Sequence, residues 1–312
     1  MATDSVLRIA TRSSRLALWQ AEHVRSCLSL RHPDLKLELI PITTSGDKIP
    51  DRPLINFGGK GLFIKELEQA LYEGRADLAV HSMKDVPVEI PNDLHIGAIL
   101  RREDARDAVV TKTGVPFLEL NRTATIGTSS LRRKSQLLAM QKDLAISDLR
   151  GNVTTRLQKL RDGEFDAIIL AAAGLQRLGF SDLISTLFDP AKIIPAIGQG
   201  AIGIECRVDD LRTQALIQPL HDRTSGLCVA AERAMSAMLE GGCDIPVAGY
   251  AIVNQAGEMR LTGMIASIDG SCVVRDEITG APENGIELGR QLGEDLLTAG
   301  AAAILSDLRS GP

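Results

Sequence analysis

Apolar and polar positions along the chain switch repeatedly between a period near two and a period near 3.6. Before residue 101 the pattern predicts strand 6–10, helix 16–30, strand 35–42, helix 62–73, strand 78–81 and strand 96–100. Between 107 and 194 it does so again, with strands at 108–111, 125–127, 145–149 and 167–170 and helices at 134–141, 153–161 and 172–178. Strands alternating with helices specify an α/β architecture. From about Thr224 the order changes to one helix (227–239), three strands (247–253, 260–267 and 272–279) and two closing helices (285–298 and 301–308). That order predicts a small α+β domain whose terminal helices cover one face of a three-stranded sheet.

The second α/β stretch echoes the first. Ile9-Ala10-Thr11-Arg12-Ser13-Ser14 matches Ile126-Gly127-Thr128-Ser129-Ser130, and Gly74-Arg75-Ala76-Asp77-Leu78-Ala79-Val80 matches Gly163-Glu164-Phe165-Asp166-Ala167-Ile168-Ile169. Such short matches also arise by chance, because strand-turn-helix joints reuse a few residue types. A true duplication implies two similar lobes whose strand-end loops line a cleft, where open α/β sheets usually bind ligands. The charged or Gly/Pro-punctuated connections near 101–104 and 195–200 are candidate hinges.

Composition narrows the function classes. With 312 residues, 44% hydrophobic and 24% charged, the chain has room for two domains and a small third and reads as an ordinary soluble protein. No apolar run approaches the roughly 18 residues that span a membrane. The first residues, Met1 to Val6, lack a basic segment and an apolar one, so a cytoplasmic location is expected. A net charge of −5 and 3% aromatic residues argue against a nucleic-acid partner. The five cysteines, Cys27, Cys206, Cys228, Cys243 and Cys272, are scattered and never form C-x-x-C, which argues against a disulfide framework and a zinc site.

Against that acidic background, Thr128-Ser129-Ser130-Leu131-Arg132-Arg133 stands out. Small hydroxyl residues at a helix start expose backbone N–H groups and the positive end of the helix dipole, and two guanidiniums add paired donors shaped for carboxylate or phosphate. Arg12, Arg150, Arg156 and Arg177 fall at similar joints. Any one of them alone reads as a solvated charge or a surface pair worth under about 1 kcal/mol. Their repeated placement beside Gly, Ser or Thr points to one extended polyanion site.

Two further segments carry chemistry. His81-Ser82-Met83-Lys84-Asp85-Val86-Pro87 puts Ser82, Lys84 and Asp85 at a strand end, where an acid can do proton-transfer or cation-stabilising work or can simply satisfy turn N–H groups. His81 reads as a packed or hydrogen-bonded strand histidine rather than a metal ligand. Glu240-Gly241-Gly242-Cys243-Asp244-Ile245-Pro246 places one thiol in a flexible turn, which favours exposure and reaction, whereas a free cysteine is ordinarily a buried small hydrophobe.

In order along nearly the whole chain, these segments resemble the porphobilinogen deaminase (hydroxymethylbilane synthase) family. The resemblance is carried by Arg8-Ile9-Ala10-Thr11-Arg12 with Leu16-Ala17-Leu18-Trp19-Gln20, by Gly58-Gly59-Lys60-Gly61-Leu62-Phe63, and by Ala79-Val80 with the His81 to Pro87 segment. It continues through Ile126-Gly127 with Thr128 to Arg133, then Leu149-Arg150-Gly151-Asn152, Gly198-Gln199-Gly200-Ala201 and Glu240-Gly241-Gly242-Cys243. It implies two similar periplasmic-binding-protein-like α/β domains around a cleft, plus a small C-terminal α+β domain with a three-stranded antiparallel sheet. The first domain would comprise 1–100 and 201–218, the second 106–194 and the third 224–312.

The activity implied is that of a monomeric cytoplasmic transferase of tetrapyrrole biosynthesis, which condenses four porphobilinogen molecules head to tail, loses four ammonias and releases linear hydroxymethylbilane. Its primer would be a dipyrromethane cofactor held by thioether to Cys243. Asp85 would be the catalytic residue, holding the pyrrole N–H as carboxylate and able in its acid form to assist the leaving amine. Arg12, Ser14, Lys60, Ser82, Lys84, Thr128, Ser129, Ser130, Arg132, Arg133, Arg150, Arg156, Arg177 and Gln199 would bind cofactor and substrate, with no metal. Arg15 stands where relatives often have proline, and Asp244 puts an acid beside the thiol; neither removes a chemical group the reaction needs. An arginine-lined two-lobe protein that binds or senses anions without making a bond is the alternative.

Overall fold

The computed structural model describes residues 6–45, 64–240 and 245–310. In chain order the strands are β1 (Leu7–Arg12), β2 (Leu37–Ile42), β3 (Leu78–Ser82), β4 (Leu94–Ile99), β5 (Asp107–Thr111), β6 (Thr125–Gly127) and β7 (Ala145–Ser147). They continue as β8 (Ala167–Ala171), β9 (Thr186–Leu187), β10 (Ile202–Arg207), β11 (Val247–Val253), β12 (Met259–Ala266) and β13 (Val273–Gly280). The chain divides into two compact units, 1–103 with 201–226 and 104–200 with 227–312.

The first unit is built on a five-stranded sheet in the order β2-β1-β3-β10-β4. β1 runs parallel to β2 and β3, whereas β10 is antiparallel to both β3 and β4. Helix α1 (Arg15–Arg31) starts where Ser14 accepts the N–H of Ala17, and it buries Ala21, Val24 and Leu28 against Leu7, Ile9, Leu78 and Val80. Helix α2 (Lys65–Tyr72) covers the opposite face with Leu67, Ala70 and Leu71 against Ala10, Ala79 and Leu94. Apolar cover on both faces is what near-continuous apolar strands such as Leu78-Ala79-Val80 require.

The second unit repeats the plan. Its sheet runs β7-β6-β8-β5-β9, with β6 parallel to β7 and β8 and with β5 antiparallel to β8 and β9. β5 therefore holds the place in this sheet that β10 holds in the first. The repeat extends to individual hydrogen bonds. Arg8 donates its N–H to Asp77 Oδ2 at 2.8 Å while Asp77 N–H returns to Arg8 C=O at 2.9 Å, and Thr125 and Asp166 make the same reciprocal pair at 2.8 and 3.0 Å. Both pairs fall in or beside the segments that echo each other in sequence, so the echo is a structural duplication. Helices α3 (Leu131–Met140), α4 (Val153–Arg161) and α5 (Ala172–Arg177) belong to this unit.

Also in the second unit, β11, β12 and β13 form a three-stranded antiparallel sheet. One face carries Val247, Ala251, Met259, Leu261 and Ile265, covered by Met235 and Leu239, by Leu292 and Leu296 of helix α8 (Gly285–Leu296), and by Ile304 and Leu305 of helix α9 (Ala302–Ser310). The expected cover by two terminal helices is present, joined by Met235 and Leu239 from the end of the remaining long helix, α7 (Arg223–Met238). The hairpin between β12 and β13 packs on α3 at Gly270, where a Cβ would lie 2.4 Å from the carbonyl oxygen of Ser135. Only glycine permits that approach of two backbones.

The fold class matches the expectation, and several elements do not. Helix α3 begins at Leu131 rather than 134, because Ser130 caps it and draws both arginines into its first turn. β9, β10 and helix α6 (Leu211–Ile217) are absent from the strand-and-helix pattern read along the chain. β10 is buried up to its last residue, but its partners β3 and β4 lie over a hundred positions upstream, as in the pairing of Glu205 with Ala79.

Candidate functional site

In the first unit the parallel strands β1 and β3 end at the same sheet edge, which carries Arg12 and Ser82 as their last residues. A small open hollow there is lined by Arg12, Ser14, Gln20, His81, Ser82 and Asp85, among others. Ser82 Oγ is held by buried Gln20, whose Nε2 donates to it at 2.8 Å. Past Ser82 the chain makes one 3₁₀ turn, Met83–Asp85, and Val86 then takes extended φ/ψ (−82°, 120°). The residue before a proline is driven to that region, so Pro87 ends the turn and leaves Asp85 half-buried at the hollow. Lys84 is exposed. Beneath the hollow, His81 Nε2 lies 2.9 Å from Glu205 Oε2, both side chains being buried.

The equivalent joint of the second unit, between β6 and α3, is built differently. Thr128 Oγ1 accepts the N–H of Ser130, Ser129 donates its hydroxyl to Leu149 C=O, and Ser130 Oγ accepts the N–H of Arg133. Arg132 and Arg133 are 5% and 6% exposed, and both converge on Asp107, which is 0% exposed at the start of β5. Arg132 Nη1 and Nη2 reach Oδ2 and Oδ1 at 2.6 and 3.2 Å, and Arg133 Nε and Nη2 reach Oδ1 at 3.0 and 2.7 Å. Gln199 Nε2 donates to the same Oδ1 at 3.0 Å and to Ala105 C=O at 2.6 Å. Burial works against the Asp107 charge, yet the two guanidiniums hold its carboxyl well below the usual carboxylate range. Burial lowers the pKa of Arg133, with Asp107 opposing it.

The remaining candidates among the described residues, Arg150, Arg156 and Arg177, belong to the second unit. Arg150 follows buried Leu149 and is half-buried. Half-buried Arg156, in the first turns of α4, donates from Nε to Gly151 C=O at 2.7 Å. Arg177 ends α5 and donates from Nη2 to Gly200 C=O at 2.8 Å. Lys60, with Gly58, Gly59 and Gly61, and Cys243, with Asp244, lie outside the described residues. Pattern reading missed Gln20 and Asp107. Gln20 is a polar residue on the buried face of an amphipathic helix, and Asp107 an acid that opens an apolar strand, and such groups are buried only when paired.

Two copies of one α/β sheet, each with hydroxyl and guanidinium groups beyond the carboxyl ends of its parallel strands, define a duplicated α/β protein. The chain belongs to the porphobilinogen deaminase family: the dipyromethane cofactor binding domain of porphobilinogen deaminase matches residues 7–215, and the family's C-terminal domain matches residues 226–298. The family is one of transferases in porphyrin biosynthesis, and its dipyrromethane-binding domain spans both hydroxyl and guanidinium clusters. Solved structures similar to this chain include the methionine binding protein MetQ, at 14% identity over 70% of this chain and 90% of that one, with a TM-score of 0.43. The aliphatic sulphonate binding protein SsuA of Escherichia coli is 12% identical over 98% and 79%, with a TM-score of 0.41. The benzoate-bound effector domain of BenM is 19% identical over 69% and 91%, with a TM-score of 0.42.

Whether the residues suit a dipyrromethane can be judged from the hollow of the first unit. A dipyrromethane presents pyrrole N–H donors and acetate and propionate side chains. The hollow presents a carboxylate acceptor in Asp85, a guanidinium in Arg12 and hydroxyls in Ser14 and Ser82, so the chemistry is complementary.

Proposed function

We propose that the protein condenses four porphobilinogen molecules head to tail with loss of ammonia and releases linear hydroxymethylbilane, using a dipyrromethane primer joined by thioether to Cys243. The observation that carries this reading is the place of Asp85, half-buried on a turn at the end of β3 in one hollow with Arg12, Ser14 and Ser82. When bound, the dipyrromethane supplies the free pyrrole α-carbon to which the first substrate is joined. The Asp85 carboxylate accepts the pyrrole N–H and balances the positive charge that develops on the substrate as ammonia leaves; in its acid form it can hand a proton to the departing amine. Ser82, fixed by Gln20, and the Ser14 hydroxyl orient ring substituents beside it.

Arg12, Arg132, Arg133, Arg150, Arg156 and Arg177 pair with the acetates and propionates of the growing chain, with Thr128, Ser129 and Ser130 shaping the second cluster. Lys84 and Lys60 add cations, and Gln199 steadies the connection at 195–200 as the product lengthens. The same reading makes the protein a cytoplasmic monomer and assigns the three domains to 1–100 with 201–218, 106–194 and 224–312. Intact mass tests it: the expected increment equals two deaminated porphobilinogen units and maps to Cys243 after digestion. A fully active protein without the increment refutes the covalent primer.

A further inference from the structure

The second cluster holds more positive charge than it neutralises. Two guanidiniums share one carboxylate, and all three groups are at least nine-tenths buried. Asp107 Oδ1 alone takes donors from Arg132, Arg133 and Gln199, while Oδ2 takes Arg132 Nη1. On its other side each guanidinium is pinned by a main-chain carbonyl, Ile194 C=O at 2.8 Å from Arg132 Nη1 and Ile169 C=O at 2.9 Å from Arg133 Nη1. Among the described residues these contacts use three N–H donors of each guanidinium, where arginine has five. The planes of both forks are therefore fixed, donors remain, and the group as a whole is cationic. Buried charge in excess of its partners calls for a further anion.

We infer that Asp107 is a positioning residue: it aligns the Arg132 and Arg133 forks for a ligand carboxylate and, through Gln199 and Ala105 C=O, ties that alignment to the chain around Ala105 and Gln199. This rests on the proposed reading that the arginine pair holds carboxylates of the pyrrole chain. The duplication supports a purpose-built acid. β10 occupies in the first sheet the place of β5 in the second, and by register its counterpart to Asp107 is Ile202, because Ile202 faces Ser82 as Asp107 faces Ala171. The fold itself therefore does not demand an acid at that position; the arginines do.

The test uses the full-length, primer-bearing protein, with turnover expressed per molecule whose intact mass includes the primer. Asp107→Asn is expected to lower kcat about tenfold or more in molecules that remain folded, because the forks lose their common anchor. Asp107→Glu keeps the charge but moves it by one methylene, and is expected to lower kcat about threefold in molecules that remain folded, with a lower melting temperature from overpacking. Combining Asp107→Asn with Arg132→Gln and Arg133→Gln should cost no more turnover than the two arginine changes alone, because Asp107 acts only through them. Wild-type kcat in either single variant, or losses that multiply in the combined variant, overturns the inference. If Asp107→Asn does not fold, the Asp107→Glu result decides. Near-normal turnover in Arg132→Gln/Arg133→Gln refutes instead the reading that the pair holds ligand carboxylates.

Discussion

Met83 donates its backbone N–H to the carbonyl of Ala201 at 3.0 Å, so the turn that presents Asp85 is fastened to the strand that returns to the first sheet. A second feature of β10 seats the same turn: a Cβ on Gly203 would lie 2.2 Å from Met83 Sδ. The buried Met83 side chain occupies the space that a side chain at 203 would need. Positioning of the acid thus depends on residues more than a hundred positions away.

Gly203→Ala is accordingly expected to push Met83 and its turn outward, at a cost of about 1–3 kcal/mol for overpacking. Turnover should fall more than the affinity for porphobilinogen, since the acid is displaced and the arginines are untouched. Urea unfolding and steady-state kinetics read the two effects. Unchanged turnover in Gly203→Ala would show that the turn does not depend on the missing side chain at Gly203.

Asp85→Asn keeps the size of the side chain and one acceptor oxygen but removes its charge and its titratable proton. The variant is expected to retain bound dipyrromethane while losing about 100-fold or more in kcat, the usual scale for a positioned acid–base group. Primer retention is read by intact mass and kcat by product formation. Near-normal steady-state turnover removes Asp85 from the mechanism.

How much of this arrangement can be read from the chain differs between local and distant contacts. α4 is legible to the residue because Asn152 caps it through the N–H of Thr155 and the apolar spacing runs on to Leu160. β11 is equally plain, being bounded by Pro246 and a Gly-containing turn. β10 escapes pattern reading because its strand character depends on partners far back in the chain, and the two-residue β9 has no period to read. The same holds at the sites. Arg132 and Arg133 announce themselves by composition, whereas Asp107, which lies 25 residues from Arg132, is defined only by packing.

Glu232 offers a test of how the connection at 195–200 is held. Its buried carboxylate accepts the N–H of Gly198 on Oε2 at 2.7 Å and the N–H of Ala251 on Oε1 at 2.8 Å. Glutamine supplies only one acceptor oxygen, so Glu232→Gln sets an amide NH₂ against a backbone donor. A loss of about 2 kcal/mol in unfolding free energy is expected. A denaturation midpoint equal to wild type would mean that this connection has another anchor.

Thiol reactivity separates the cysteines. Burial, with Asp210 adding to it, pushes the Cys206 thiol up to about 12, so at pH 8 it is almost entirely protonated. Cys228 is buried too, whereas Cys272 is exposed. Iodoacetamide at pH 8 should alkylate Cys272 first and reach Cys206 and Cys228 only after unfolding. In denaturant, primer-bearing protein should show one reactive thiol fewer than the five cysteines of the sequence. Alkylation at all five sites would leave no thioether at Cys243.

Acid titration gives an independent measure of the Asp107 cluster. The folded pKa of Asp107 lies below its unfolded value, which is about 3.9. Its stabilising contribution is therefore complete above that unfolded value and is lost as pH falls toward the folded one, where the native state too takes up the proton. Asp107→Asn removes the titrating group but leaves two guanidiniums buried, at an expected cost of about 3 kcal/mol or more near neutral pH. Because wild type loses its advantage on acidification and the variant has none to lose, the stability gap between them should narrow from pH 5 to pH 3. Asp104 and Asp210, whose folded pKa values are also depressed, titrate in both proteins and cancel from the difference. Urea unfolding of the two proteins at each pH measures the gap, and a gap that stays constant would mean that Asp107 does not carry its charge in the folded protein.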